Sequence, residues 1–370
     1  MFNKNYDKYS IHILILLWLL FFLLHLYFYG IVINLEAEKY IHEAQNIINK
    51  KGFSAIRFWF YSSTIFIIIV ALKLKIGFTG AVIFQSAFNL SALLFFYKSI
   101  YYIFNRSSLI PFIIICIAIL FSPYSSWNVF LYTESIFYSS ILFLTATIVN
   151  HNYNKTNSGI YAIIIALTIA ILSRPLGVLF IPAVIFYFYI GLSKKLKFII
   201  IPITAIGIII LIYIINIIFT TTSDTTIILS AKQQCVVCGI LPYSNAKLIL
   251  LKEGSQGAQL YYYISHNFSN FASLALQRSY AFFFMIRSYY STQHNILLLA
   301  FIIPIYTLSI ISFFLKKEKI YKPIFYFMLI SITTFALAIM LQCDDYHNRF
   351  ILGLFPFFLI FSATTIAYKK

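Results

Sequence analysis

The sequence predicts an all-α integral membrane protein that crosses the bilayer many times. Of its 370 residues, 61% are hydrophobic and only 10% are charged, whereas a soluble globular domain carries about 25% charged residues. So few polar side chains cannot cover a surface in water, and the outer solvent must therefore be lipid. The apolar runs are continuous and do not alternate, which excludes a transmembrane β-barrel and leaves helices.

The apolar runs support about ten to twelve spans, since a helix needs about 20 apolar residues to cross the hydrocarbon core. The first run lacks the small-residue cleavage site of a signal peptide, so we expect it to be retained. The runs fall at 11–34, 56–73, 78–104, 108–123, 134–150, 159–173, 175–193, 196–219, 295–315, 323–342 and 351–368.

The net charge of +17 comes from lysines at the ends of apolar runs. Nucleic-acid binding is not expected, because no soluble basic domain exists, and anionic or phosphate-bearing membrane lipid is the expected partner. The clusters predict cytoplasmic loops. This orientation requires an odd number of membrane crossings between 56 and 104, whereas two apolar runs lie there. Either one of these runs is not a full span, or 78–104 is a tight pair of helices. The clusters are Lys194, Lys195 and Lys197, then Lys316, Lys317, Lys319 and Lys322, then Lys369 and Lys370.

We expect a single transmembrane domain over 1–370 with two stretches outside the bilayer. The first outer loop, 35–55, contains the amphipathic segment Glu36–Lys51, which predicts an interfacial helix on the outer leaflet. The large outer loop, 220–294, mixes aromatic and basic residues in its second half, which suits another interfacial helix. In this loop Cys235 and Cys238 form a C-x-x-C without further zinc ligands nearby, and an extracytoplasmic position allows a disulfide between them.

Most of the ten carboxylates fall on the predicted outer face. Glu36 and Glu38 open the interfacial helix, where they either compensate the helix dipole or serve as a general base or substrate ligand. Glu134 begins an apolar run, either as a helix cap or as a functional carboxylate. Arginines on this face either snorkel or bind phosphate through the guanidinium fork. They are Arg174, Arg278, Arg287 and Arg349.

Four segments, in order along the chain, together resemble the GT-C superfamily of membrane glycosyltransferases. The dolichyl-phosphate-mannose–protein mannosyltransferase-like bacterial members are the most similar. The segments are an acid and interfacial helix ending in Gly (Glu36 to Gly52), Ser122-Pro123 followed by Tyr132-Thr133-Glu134-Ser135-Ile136-Phe137, Ser173-Arg174-Pro175-Leu176-Gly177, and Asn348-Arg349-Phe350 with Pro356.

The resemblance implies a GT-C-like helical bundle that transfers a sugar, with inversion, from a polyprenyl-phosphate donor to a lipid, glycan or protein. It places the reaction on the outer face of a bacterial inner membrane, in cell-envelope polysaccharide biosynthesis, and requires no cofactor, with a divalent metal allowed but not favoured. The implied base is Glu36, although the family usually has Asp there, with Glu38 as its rival and Glu134 nearby. The four arginines would bind the donor phosphate. The sugar or the acceptor would be bound by Tyr40, His294 and His347.

Two other functions fit the same composition. An O-antigen-type polysaccharide polymerase would place its function in the 220–294 loop and leave Glu36 unimportant. A flippase or transporter of lipid-linked sugars would need polar residues at mid-membrane and helices broken at Gly or Pro in paired halves.

Overall fold

The computed structural model describes residues 4–104, 109–192, 227–240, 242–251, 253–315 and 320–367, and within these ranges every regular element is helical. Three 3₁₀ turns, Ile56–Tyr61, Ser126–Val129 and Pro175–Phe180, interrupt the helices. The α-helices are α1 (Lys4–Tyr29), α2 (Glu36–Ile48), α3 (Ser62–Lys73), α4 (Gly77–Ile100), α5 (Leu109–Leu120), α6 (Ser122–Ser125), α7 (Glu134–Asn154), α8 (Asn157–Ser173), α9 (Ile181–Gly191), α10 (Ile227–Lys232), α11 (Gln256–His266), α12 (Phe268–Phe284), α13 (Thr292–Leu315), α14 (Lys322–Leu341) and α15 (Arg349–Ala367).

The prediction of an all-α, multi-pass membrane protein is confirmed. Six helices in the described ranges are long and apolar enough to span a membrane, or seven if the pair Leu109–Leu120 and Ser122–Val129, bent by 76°, counts as one span. This is fewer than the expected ten to twelve, partly because Asn157–Ser173 and Pro175–Gly191 are shorter apolar helices. The predicted run 196–219 and most of the lysine clusters lie outside the described residues, so the orientation in the membrane stays a prediction.

The chain groups into two compact units where the sequence predicts one domain. Unit 1 comprises Met1–Ile181, Tyr306–Phe325 and Phe355–Lys370, and unit 2 comprises Pro182–Ile305 and Tyr326–Leu354.

Contacts within unit 1 set the direction of α4 relative to α1 and α7. Gln85, in the first half of α4, donates a hydrogen bond to the carbonyl of Phe130, which forms a bridge with Val32 just after α1. At the other end of α4, Ser99 accepts a hydrogen bond of 2.9 Å from Asn150 near the end of α7. The first half of α4 therefore lies near the end of α1, and its last residues lie near the end of α7.

The prediction that 78–104 forms a tight pair is wrong, because Gly77–Ile100 is one continuous helix. The other alternative, in which one run of 56–104 is not a full span, stays a prediction. Ile56–Lys73, a 3₁₀ turn of 6 residues followed by a helix of 12 residues, is one of the six helices counted above. With a rise of about 2.0 Å per residue in the turn and about 1.5 Å in the helix, it is about 30 Å long, which matches the hydrocarbon core.

A polar network supports the end of the 3₁₀ turn Ser126–Val129, which follows the bent α5–α6 segment inside unit 1. The end of this turn leaves main-chain carbonyls without helical partners, and in lipid such groups must be satisfied by the protein. The Gln85 amide donates to the carbonyls of Asn128 (2.9 Å) and Phe130 (2.8 Å). The Asn89 side chain extends the network: its amide oxygen accepts from Trp18 at 3.0 Å, and its amide nitrogen donates to Ser139 at 3.1 Å.

Replacing Gln85 with Leu is expected to destabilise the protein by roughly 1–3 kcal/mol, because the carbonyl of Phe130 loses its side-chain donor and that of Asn128 keeps only the Ser86 hydroxyl. Thermal unfolding of the detergent-solubilised protein measures the change. The matched control is Ser91→Ala, which removes an exposed hydroxyl bonded only within α4. Equal melting temperatures for the two variants would contradict this account of the turn.

Candidate functional site

The connection between α1 and α2 is held against the segment that precedes α7. The amide of Val32 donates to the carbonyl of Val129 at 3.1 Å, and the amide of Leu131 donates to the carbonyl of Val32 at 2.9 Å. This short parallel pairing lies four residues before Glu36 and three residues before Glu134. The first residues of α2 and α7 are therefore brought to the same end of unit 1.

Glu36, the first residue of α2, presents a carboxylate that is held in place and partly open to solvent. Its Oε1 accepts hydrogen bonds from the Tyr40 hydroxyl and from Lys39 Nζ, both at 2.9 Å. The Glu36 side chain is 21% exposed. Such a carboxylate is oriented by its neighbours and still accessible to a bound molecule.

The Tyr40 hydroxyl beneath Glu36 is kept protonated. Burial, and then the charge of Glu36, raise the pKa of Tyr40 well above its usual range. The hydroxyl is therefore a permanent donor to Glu36. The Tyr40 ring packs on Tyr61, with 5.3 Å between ring centroids, which fixes its position.

Glu38 and Glu43, two other acids of α2, have structural partners. Glu38 is exposed, and its Oε1 accepts a hydrogen bond of 3.3 Å from the amide of Leu35, whose φ of 54° is in the left-handed region. Glu43 is buried and accepts from the amide of Ser54 at 2.9 Å and from the Ser54 hydroxyl. Glu38 therefore caps the N-terminus of α2, and Glu43 holds the chain that follows α2 against the helix.

Glu134 and Arg174 form a buried ion pair at the same end of unit 1. The Arg174 guanidinium donates through Nη1 to Glu134 Oε1, and the two side chains are 9% and 0% exposed. Burying both charges is tolerable only because each compensates the other. The pair joins the first residue of α7 to the residue that follows α8.

The break after α8 fixes the position of Arg174. Pro175 begins the 3₁₀ turn, and the residue before a proline favours the extended backbone found at Arg174 (φ −162°, ψ 142°). A Cβ on Gly177 would lie 2.3 Å from the carbonyl oxygen of Ala170, so only glycine fits this close return of the chain. The Ser-Arg-Pro-Leu-Gly sequence thus builds the turn that carries Arg174.

The Tyr40 hydroxyl lies within electrostatic range of Glu36, Glu134 and Arg174 together. Tyr61 and Arg57 belong to the same group, since Tyr61 is within range of both Arg57 and Arg174. We call this group the acid–arginine cluster: Glu36, Tyr40, Arg57, Tyr61, Glu134 and Arg174. Sequence reasoning missed Arg57 and Tyr61; the one available signal was a charged residue at the start of an otherwise apolar run.

The other predicted site residues belong to unit 2. Arg278 is buried, and its guanidinium donates to the main-chain carbonyls of Cys235 (3.0 and 3.1 Å), Ser230 (3.1 Å) and Met340 (3.2 Å). Burial lowers the pKa of Arg278. Its hydrogen bonds tie α12 to three other segments, which is a structural use of the guanidinium.

Two further ion pairs lie on the 344–349 segment of unit 2. Arg287 Nη2 donates to Asp344 at 2.6 Å, and Arg349 donates to both oxygens of Asp345 at 2.6 and 2.9 Å. Burial raises the pKa of Asp344 to about 6, against the opposing effect of Arg287, so the carboxylate is mostly ionised at neutral pH. Both predicted phosphate ligands, Arg287 and Arg349, are therefore paired with acids in the structure.

His294 and His347, the two histidines predicted to bind sugar or acceptor, each contact a tyrosine ring. The His294 ring contacts Tyr290, and the His347 ring contacts Tyr346, with centroid distances of 4.4 and 4.7 Å. Both histidines are exposed.

A disulfide between Cys235 and Cys238 is a wrong prediction. Cys238 is bonded to Cys343, 105 residues away, while Cys235 is a free, buried thiol. The reason is local geometry: the amide of Cys238 donates to the carbonyl of Asp344 at 2.9 Å, and the amide of Asp344 donates to that of Val236 at 2.9 Å. This pairing places Cys238 beside Cys343.

In the part of the chain that the structure describes, no group of three or more His, Cys, Asp or Glu side chains is arranged to hold a metal ion. Comparison with known proteins gives no match: no family model, curated protein sequence or solved structure is significantly similar to this chain. The function is therefore inferred from the residues of the site itself.

Proposed function

We propose that this protein is an inverting membrane glycosyltransferase that transfers a sugar from a polyprenyl-phosphate donor to an acceptor on the extracytoplasmic face. The observation that carries the proposal is the acid–arginine cluster. It groups a partly exposed carboxylate, Glu36, with a buried Glu134–Arg174 pair at one end of a membrane-spanning unit. A carboxylate held this way is placed for general-base chemistry on a molecule that enters from the membrane surface.

In the proposed reaction, Glu36 accepts the proton of the acceptor hydroxyl. The hydroxyl oxygen bonds to the anomeric carbon while the bond from that carbon to the phosphate oxygen breaks. The leaving polyprenyl phosphate keeps the electron pair of that bond. Attack from the face opposite to the leaving group inverts the anomeric configuration.

The leaving phosphate needs cations near the same carboxylate. Arg57 and Lys39 are the accessible cations of this region, with the Lys39 side chain 44% exposed. The charge of Arg174 is neutralised by Glu134. We therefore assign Arg174 mainly to shaping the site, and to donating hydrogen bonds from those guanidinium N–H groups that do not contact Glu134. Such fixed donors stabilise charge that develops as the bond to the phosphate breaks.

The Cys238–Cys343 disulfide supports the extracytoplasmic assignment for unit 2. Disulfides persist in oxidising compartments and are rare in the cytosol. We therefore place the 343–348 segment outside the cytoplasm, as the lysine pattern predicts.

The direct test incubates the purified full-length protein with undecaprenyl-phosphate-linked sugars and, in parallel, with nucleotide sugars. We expect a new glycosidic linkage from the lipid donor alone, with the opposite anomeric configuration by NMR. Transfer from the nucleotide sugar, or retention of configuration, would contradict the proposal. A ladder of repeating units would indicate the polymerase, and translocation without transfer would indicate the flippase.

A further inference from the structure

Five aromatic rings of unit 2 form one continuous exposed cluster, which we call the tyrosine platform: Tyr289, Tyr290, His294, Tyr346 and His347. Tyr289 and Tyr346 stack face to face, with 4.2 Å between centroids and 8° between planes. Tyr346 is still 41% exposed, although its ring stacks on Tyr289 and makes a T-shaped contact with His347. Part of this residue is therefore accessible to a ligand.

The platform is rigid before any ligand arrives. The Tyr289 hydroxyl donates to the main-chain carbonyl of Tyr346, which ties the two stacked residues together. The Cys238–Cys343 disulfide fixes the chain three residues before Tyr346. Two residues after Tyr346, the side-chain amide of Asn348 donates to the carbonyl of Met285 at 3.0 Å. A preformed surface loses little conformational entropy on binding.

The charges under the platform cancel. Arg287 is paired with Asp344, and Arg349 is paired with Asp345. An anionic or cationic ligand would therefore find no uncompensated partner in these four residues. What the surface offers is an exposed tyrosine beside exposed imidazoles, which both donate and accept hydrogen bonds.

We propose that the tyrosine platform is a binding site for a neutral saccharide. A pyranose has one face rich in C–H groups, which packs on the exposed part of the Tyr346 ring, and hydroxyls around its edge, which hydrogen-bond to His294 and His347. The inference goes beyond the proposed transfer reaction and does not depend on it.

Saturation-transfer NMR on the full-length protein tests the site, in a detergent without a sugar headgroup. The probes are maltose, lactose and chitobiose. We expect saturation transfer to at least one disaccharide and roughly tenfold weaker binding in Tyr346→Leu, because the substitution removes the ring and keeps apolar bulk. Tyr346→Phe is expected to bind as the natural protein does, since the ring face remains.

The matched control is Tyr261→Leu, since Tyr261 is a more exposed tyrosine of the same unit outside the platform. It is expected to leave binding unchanged. Absence of saturation transfer to all three disaccharides would overturn the proposal, as would equal binding by Tyr346→Leu and the natural protein. Equal loss in Tyr261→Leu would also overturn it, because the tyrosines would then act as a general interfacial belt.

Discussion

Replacing Glu36 with Gln is expected to lower the rate of sugar transfer by roughly 10²–10⁴-fold, the usual contribution of a general base. The amide has nearly the same shape and still accepts the hydrogen bond from Tyr40, but it takes no proton from an acceptor hydroxyl. The loss should fall on kcat more than on KM, because the substitution leaves most binding contacts in place. Radiolabelled transfer from a polyprenyl-phosphate sugar measures both constants.

Glu38→Gln is the matched control for this experiment. Glu38 lies two residues away in the same helix, but it is exposed and accepts a hydrogen bond from the amide of Leu35. We expect kcat within about twofold of the natural protein, since the amide oxygen of Gln still accepts that hydrogen bond. If Glu38→Gln lost activity and Glu36→Gln kept it, the base would be reassigned to Glu38; if neither variant changed transfer, the base mechanism would fail.

The second large effect is expected at the buried Glu134–Arg174 pair. Arg174→Met leaves the fully buried Glu134 carboxylate without its counter-charge, which should destabilise the protein by about 3–5 kcal/mol. Adding Glu134→Gln removes the unpaired charge and should restore much of this stability. It should not restore transfer, because the guanidinium that shapes the site is still missing.

Thermal unfolding and transfer assays on the two single variants and the double variant complete this cycle. Lys39→Met serves as the stability control, because its ion pair with Glu36 is exposed and such pairs contribute about 0–1 kcal/mol. Full activity in a stable double variant would refute a role for Arg174 in the site. Equal instability of Arg174→Met and Lys39→Met would refute the buried-pair account.

The helices were predictable because an apolar run in lipid has few alternatives to a helix. The amphipathic segment Glu36–Lys51 corresponds to α2, which ends at Ile48, and the run 134–150 corresponds to α7, which continues to Asn154. The bend between α5 and α6, and the 3₁₀ turn that follows it, were not predicted. The carbonyls at the end of this turn are satisfied by side chains of α4, such as Gln85, that are distant in sequence.

The composition of the site was only partly predictable. Glu36, Glu134 and Arg174 were identified as candidates because charged side chains are costly in lipid and are therefore usually functional in a chain with so few of them. Their grouping depends on the pairing of Val32 with Phe130, which no spacing in the sequence reveals. The partner of Cys238 was equally hidden, since cysteine connectivity does not follow from sequence alone.

The Cys238–Cys343 bond also has a consequence for how the chain is threaded through the bilayer. Both sulfur atoms must be on the same side of the membrane, so the polypeptide between them crosses an even number of times. Two helices of spanning length, α13 and α14, lie in that interval. They act as a covalently closed hairpin. A protease cut at an exposed peptide such as Gly254 would leave two fragments that separate on a gel only after a reducing agent is added.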